Sequence, residues 1–368
     1  MEQSLKKTCL HRRHVALGAT MVPFGGFDMP IEYEGIEPEH RAVRTACGVF
    51  DVSHMGEVAV SGPEAQKFVN RIFTNDVSVI EDGHILYGMM LREDGGTVDD
   101  LLVYRIASDD YLLVINASNI DKDVAWITSH SDSYDVCVRD LSDSFAEVAV
   151  QGPDAERVLR DVLGIDASEL SFYTFKYVID RDDADSQLLV SRTGYTGEDG
   201  FEIYGSHEAI DRIWQRLMAA GVTHCGLGCR DTLRFEAGLP LYGNELDDST
   251  SPVEAGLSMF VKFDKDDFIG REAVAAQKAE GVRYKVVGLE IDGRAIARHG
   301  YEVLDIDGNQ VGTITTGYHS ITLDRNIAMA KVVASSAALG TELQVRVRRK
   351  LFPARVIKKR FYIPNYKK

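Results

Sequence analysis

The 368-residue sequence holds only five cysteines, two tryptophans and nine prolines, and the first scarcity already narrows what it can be. The cysteines stand at 9, 47, 137, 225 and 229, an odd number at no regular spacing, which excludes a disulfide framework and fits reducing surroundings. Cys225 and Cys229 flank Gly-Leu-Gly with no second pair, and none of the ten histidines forms a His-Glu-x-x-His pattern, so no metal centre is expected. No stretch approaches the roughly 18 apolar residues that a membrane helix needs. The first residues, Met-Glu-Gln-Ser-Leu-Lys-Lys, lack the apolar segment of a signal peptide, so the expected location is the cytoplasm, with no membrane partner. With 57 acidic against 41 basic residues the net charge is −16, which argues against nonspecific nucleic-acid binding.

Acids are themselves missing from one place. Between Gln344 and Lys368 there are ten Lys or Arg and no Asp or Glu, which leaves about −26 on the rest of the chain. Such a segment either guards a strand edge against pairing or offers a docking surface for an anionic ligand or an acidic partner.

What is present is an ordinary globular composition, 45% hydrophobic and 27% charged, in a chain long enough for two or three domains. Residues 85–116 read as a three-strand meander, with runs rich in Val, Leu, Ile and Tyr separated by Gly- and Asp-containing turns. Alternation along the middle run puts Val98, Asp100, Leu102 and Tyr104 on one face and Thr97, Asp99, Leu101, Val103 and Arg105 on the other. Asp100 is thereby expected among apolar and aromatic neighbours, whereas Asp99 shares its face with Arg105 and Thr97. An acid taken out of water is either satisfied by donors or kept to handle protons.

An internal repeat brackets the meander: Glu57-Val-Ala-Val-Ser-Gly-Pro recurs as Glu147-Val-Ala-Val-Gln-Gly-Pro. Each copy reads as strand, turn and helix, with helices expected at Glu64–Phe73 and Asp154–Leu163 and with Pro63 and Pro153 suited to a first helical turn. Two such units suggest a ferredoxin-like or related α+β arrangement, interleaved over residues 1–281. Beyond residue 282, short alternating runs with Gly-rich turns suggest a separate all-β barrel or sandwich.

Two polar constellations lie between. Ser191-Arg-Thr-Gly-Tyr-Thr-Gly-Glu-Asp-Gly-Phe-Glu202 is a hairpin whose turn holds Glu198 and Asp199, which makes it a poor phosphate cradle. Glu202 sits in a strand and faces either a hydrogen-bond-donating ligand or solvent. Arg230 and Arg234 lie one helical turn apart and suit either a ligand carboxylate or ion pairs with Asp231 or Glu236. Asp231 occupies the third glycine position after Gly226-x-Gly228, so a dinucleotide loop fails there.

These residues jointly resemble one family, the T-protein of the glycine cleavage system, a tetrahydrofolate-dependent aminomethyltransferase. The resemblance is carried by Val22-Pro-Phe-Gly-Gly-Phe-Asp-Met-Pro-Ile, Gly48-Val-Phe-Asp-Val-Ser-His-Met-Gly-Glu, Gly95-Gly-Thr-Val-Asp-Asp-Leu and Arg192-Thr-Gly-Tyr-Thr-Gly-Glu-Asp-Gly-Phe-Glu. Cys229-Arg-Asp, Leu241-Tyr-Gly-Asn, Pro252-Val-Glu-Ala-Gly-Leu and Phe268-Ile-Gly-Arg extend it over most of the chain. It implies an α+β, three-domain cloverleaf with ferredoxin-like and antiparallel-sheet subdomains, a C-terminal β-barrel, and a central folate channel. It also implies transfer of a one-carbon unit from the aminomethylated lipoyl arm of the H-protein to tetrahydrofolate, with release of ammonia.

By the same resemblance Asp100 is the essential acid, and Met55, Tyr87, Leu102, Tyr104, Val114 and Asn116 line the channel, with Tyr195 close to it. Glu202 is expected to bind the amino edge of the pterin. Arg230, with Arg234 beside it, meets a folate carboxylate or anchors the wall, and Tyr366 closes over the ligand. Related readings are a folate-dependent demethylase using the same channel and a non-catalytic folate-binding assembly protein. The dinucleotide domain of the flavin-linked relatives is missing, so no flavin is expected.

Overall fold

The computed structural model describes residues 4–363. The meander forms as read: Ile85–Leu91, Thr97–Ala107 and Asp110–Ile115 are consecutive strands of a five-stranded sheet, completed by Gly56–Ser61 and then Cys137–Asp140. All its pairings are antiparallel. One face carries Val58, Val60, Leu101, Val103 and Leu113 onto Phe68, Val69, Ile72 and Ile127 of the helices Ala65–Ile72 and Ile120–Ser129. Each such buried side chain contributes on the order of 1.5–3 kcal/mol.

The second repeat copy seeds a different sheet. Its strand Ala146–Gln151 lies inside a six-stranded sheet ordered Phe175–Asp180, Asp183–Ser191, Gly200–Gly205, Ala146–Gln151, Gly48–Asp51 and Thr223–Cys225. Behind it pack Ala155–Val158, continued by a wider turn to Leu163, and His207–Ala219 with the buried Trp214. Helices begin at Ala65 and Ala155, so Pro63 and Pro153 stand in the turn before the cap residues Glu64 and Asp154 rather than in the first helical turn.

The two sheets turn their other faces toward each other. Ile85, Tyr104, Leu112 and Val114 of the first meet Phe175, Leu189 and Tyr204 of the second. The pairing of Ile85–Leu91 with Thr97–Ala107 shifts between Met90, opposite Asp99, and Leu91, opposite Thr97. This bulge takes Val98 to the helix-covered face with Leu101 and Val103, away from the face on which alternation put it. It lies directly beside the two acids of the strand.

From Tyr284 to Ile357 six strands close into a barrel, the first pairing with both Arg325–Val333 and Lys350–Ile357. Leu289, Val303, Ala330, Val332, Val345 and Val356 fill it. Its outer wall packs through Met329, and the segment after the last strand through Phe361, against Met89, Leu91, Phe235 and Phe268. A buried polar node ties barrel and sheets together: Glu236, ending the helix Leu227–Glu236, accepts from Ser320 Oγ at 2.6 Å, Thr322 N at 3.0 Å and Arg44 at 3.1 Å. No helix among the described residues is long and apolar enough to cross a membrane.

Candidate active site

Where the two sheets and the barrel meet, a cavity of about 430 Å³ opens, a size suited to a small-molecule ligand. Met55, Tyr87, Asp100, Leu102, Val114 and Asn116 line it from the first sheet and its approaches. Tyr195 and Glu202 line it from the hairpin of the second sheet, and Arg230 from the helix that follows. Lys359 and Arg360, just after the last barrel strand, put two residues of the basic C-terminal segment on the same wall.

Asp100 projects into this space but not into purely apolar company. Tyr87 Oη donates to its Oδ2 at 2.8 Å and Asn116 Nδ2 to its Oδ1 at 3.1 Å. Tyr87 comes from one neighbouring strand and Asn116 from just past the end of the other, positions that alternation along a single strand does not show. Burial, and then the adjacent Asp99 charge, raise the Asp100 carboxyl from the usual carboxylate range to about 7. Asp99 departs further from expectation. Its partners are Asn116 N at 3.0 Å, Asn116 Nδ2 at 2.8 Å and Asn119 Nδ2 at 2.7 Å. Arg105 turns instead to Asp82 at 2.9 Å and the Ile80 carbonyl at 2.7 Å, and Thr97 donates to the Thr250 carbonyl at 2.7 Å.

The hairpin turn is fixed by one side chain. Gln151 Nε2 donates to the Thr193 carbonyl at 3.0 Å, while Thr196 donates to Gln151 Oε1 at 2.8 Å. A Cβ at Gly194 would fall 2.0 Å from Gln151 Oε1, so only glycine admits this clamp. It sets Tyr195 on the cavity wall, where its hydroxyl donates to the Pro240 carbonyl and the Arg230 guanidinium lies 4.8 Å from its ring centroid. Glu202 is 6% exposed, accepts from Thr193, and is raised by burial while Thr193 and Arg230 pull it back.

Sequence reasoning passed over two further lining residues. Glu147, 2% exposed, is pushed well up by burial and then by Glu202 and Glu57. His54 is pushed down to about 4 by burial and by Arg230, so it is a neutral imidazole, and its Nδ1 has no hydrogen-bond partner among the described residues. In sequence, Glu147 opens a repeat that reads as architectural, and His54 ends a short apolar run, where residues are usually core. Only the fold shows that each reaches the cavity.

Residues 10–265 match the model of the GCVT N-terminal domain, and residues 285–362 that of the glycine cleavage T-protein C-terminal barrel domain. The chain belongs to the glycine cleavage T-protein family. Among curated relatives, the aminomethyltransferase of Alkaliphilus oremlandii is 48% identical, with 99% of each chain covered. That of Caldanaerobacter subterraneus is 47% identical over 99% of this chain and 98% of its own. The crystal structure of glycine cleavage system aminomethyltransferase T from Bartonella henselae superposes with a TM-score of 0.93 at 33% identity, covering 99% of this chain and 100% of its own.

Within this T-protein fold two expected site residues stand elsewhere. Arg234 has no exposed surface and does not line the cavity; it is held by Asp231 at 2.7 Å and Glu245 at 3.0 Å, so it anchors the barrel side of the wall. Tyr104 is fully buried behind the lining, with its hydroxyl 2.9 Å from that of Tyr204 and 3.2 Å from Ser191 Oγ. Tyr366 lies outside the described residues.

Cys225 and Cys229 do converge with Glu39, their ligand atoms all within 4.8 Å of one another. Both Glu39 oxygens are already taken, by Tyr33 N at 2.7 Å and Gly226 N at 2.9 Å. Burial and the neighbouring Cys229 push the Cys225 thiol well up, away from the thiolate that a metal requires. The cluster fits a buried cap better than a metal centre.

Proposed function

We propose that the chain is the aminomethyltransferase of a glycine cleavage system, passing the one-carbon unit of an S-aminomethyl dihydrolipoyl H-protein to tetrahydrofolate in the cytoplasm. The observation that supports this most is Asp100, a buried carboxyl oriented by Tyr87 and Asn116, reaching into a cavity of pterin size. The methylene carbon loses its bonds to sulfur and to the amine nitrogen and gains bonds to the two reactive nitrogens of the folate. The two N–H protons leave with the thiol and the ammonia. Positive charge develops on the transferring unit as its bond to sulfur or nitrogen loosens, and a charged Asp100 within contact range stabilises it. The same carboxylate accepts a proton as a folate nitrogen loses one.

Two buried acids, Glu147 pushed up further than Glu202, suit the two edges of a pterin. Glu202 accepts from the amino edge, and Glu147, whose burial favours the protonated form, donates to the carbonyl oxygen. Arg230 lies at this end and tunes Glu202 and His54. The folate carboxylates then extend toward Lys359 and Arg360, and the basic segment from Gln344 onward is the expected landing site for the acidic carrier protein or a polyglutamate folate tail. We take the barrel from about residue 282 as a separate folding unit closing the channel.

Mixing the protein with aminomethylated H-protein and tetrahydrofolate tests the reading. Ammonia and methylenetetrahydrofolate should appear in equal amounts. Binding of folate without product, or turnover only with a small methylated amine or sulfonium donor, would overturn it in favour of an assembly protein or a demethylase.

A further inference from the structure

Behind Asp100 stands a third carboxyl that the transfer does not use. Asp123, on the helix Ile120–Ser129, has no exposed surface, and neither of its oxygens meets an N–H or hydroxyl donor among the described residues. Its carboxyl lies against that of Asp99 at hydrogen-bonding range. The nearest cation is Lys122, with Nζ 3.8 Å from Asp123 Oδ1. That ammonium is committed to the Val98 carbonyl and, at 2.9 Å, to the Tyr242 hydroxyl. The other charged or titratable groups around the pair are Asp100 and, beyond Tyr242, Asp247 and Asp248. Every one of these carboxylates adds negative charge.

Two acids in contact, both out of water, do not both ionise. The donors decide which keeps the proton. Three N–H groups point at Asp99, from Asn116 N, Asn116 Nδ2 and Asn119 Nδ2, and none points at Asp123. We propose that Asp123 is a neutral carboxylic acid donating its O–H to Asp99, a positioning residue that holds Asp99 as the single anion behind Asp100. Burial, and then the Asp99 charge, act in the same direction, raising the Asp123 carboxyl far above the usual range.

The consequence reaches the cavity through Asn116. Its Nδ2 is shared between Asp99 Oδ1 at 2.8 Å and Asp100 Oδ1 at 3.1 Å, so a fixed Asp99 fixes the amide that orients Asp100. The Asp99 charge also keeps the Asp100 carboxyl high enough to exchange a proton near neutrality. A second charge at position 123 would lift it further and leave Asp100 protonated. The neutral acid supplies a donor without that charge.

This inference rests on the transfer reading only for its consequence, and the first test is independent of turnover. Infrared spectroscopy of ligand-free protein, isotope-edited on aspartate carboxyls alone, should show a protonated aspartic acid at mildly alkaline pH. Glu57 and Glu147 stay silent in that measurement. The band should vanish in Asp123→Asn and persist in Asp100→Asn. Its absence from the wild-type protein, which needs no variant to fold, would overturn the assignment.

In the transfer assay Asp123→Asn keeps a neutral donor, so kcat should stay within about 3-fold and the pH of half-maximal rate should not move. Asp123→Ala removes the donor and should lower kcat about 10-fold. A downward shift of the acidic limb by about one pH unit in Asp123→Asn would show that a negative charge had been removed, and would overturn the proposal.

Discussion

Tyr87 Oη donates to Asp100 Oδ2 at 2.8 Å across two paired strands, Tyr87 standing opposite Leu102 and Asp100 opposite Met89. Burial, and then the charge of Asp100, raise the phenol well above its usual range, so Tyr87 remains a donor at every working pH. The hydrogen bond favours the charged form of Asp100 and opposes the burial that raises it.

Tyr87→Phe should therefore push the Asp100 carboxyl higher still. At neutral pH kcat should fall about 10-fold, and the acidic limb of the rate profile should move to higher pH. A pH–kcat profile of the variant beside wild type checks both, and an unmoved limb would mean that Tyr87 does not govern the protonation of Asp100.

For the wild-type protein the sign follows from a raised carboxyl. The charged form of Asp100 is lost as pH falls through about 7, so kcat/KM should decline below that pH. In Asp99→Asn a neighbouring negative charge is removed, and the decline should begin at lower pH. The same change puts an amide where Asn116 and Asn119 donate, so a loss of thermal stability should accompany it.

Arg230 and Arg234 should separate cleanly. Arg230→Met should raise the KM for tetrahydrofolate with little change in melting temperature. Arg234→Met leaves the acids Asp231 and Glu245 without their partner and should cost about 3–5 kcal/mol of stability. Thermal denaturation and steady-state kinetics on both variants distinguish the roles; equal effects on KM would place Arg234 at the ligand.

The node at Glu236 predicts acid lability. Burial alone would raise this carboxyl, but hydrogen bonds from His40, Ser320 and Thr322 hold it down to about 2, against 4.5 for a free glutamate. Its stabilisation is complete above the unfolded value and is lost as pH falls through the folded one, a window from about 4.5 to about 2. Glu236→Gln should remove about 3 kcal/mol at neutral pH and flatten the stability curve across that window, as denaturant titrations would show.

Local patterns carried a good part of this site, and non-local ones the rest. Period-two alternation put Asp100, Leu102 and Tyr104 on one face correctly, because those residues lie beyond the bulge; it failed at Val98, which lies within it. That Asp99 shares a face with Arg105 does not make them partners, because Asp82 and the Ile80 carbonyl, more than 20 residues away, claim the guanidinium. Helical spacing set Arg230 and Arg234 on one side of their helix. Glu245, in the loop that follows, drew only Arg234 into the wall. The repeat flagged Glu57 and Glu147 as equivalent, and both are buried acids. Their environments come from sheet packing that no window of sequence displays.

The most direct test is the complete transfer assay on Asp100→Asn, with tetrahydrofolate binding measured on the same protein by calorimetry. The variant should bind tetrahydrofolate within about 5-fold of wild type and form methylenetetrahydrofolate and ammonia at least about 1000-fold more slowly. A rate within about 10-fold of wild type, with the fold intact, would contradict the assignment of the transfer to Asp100.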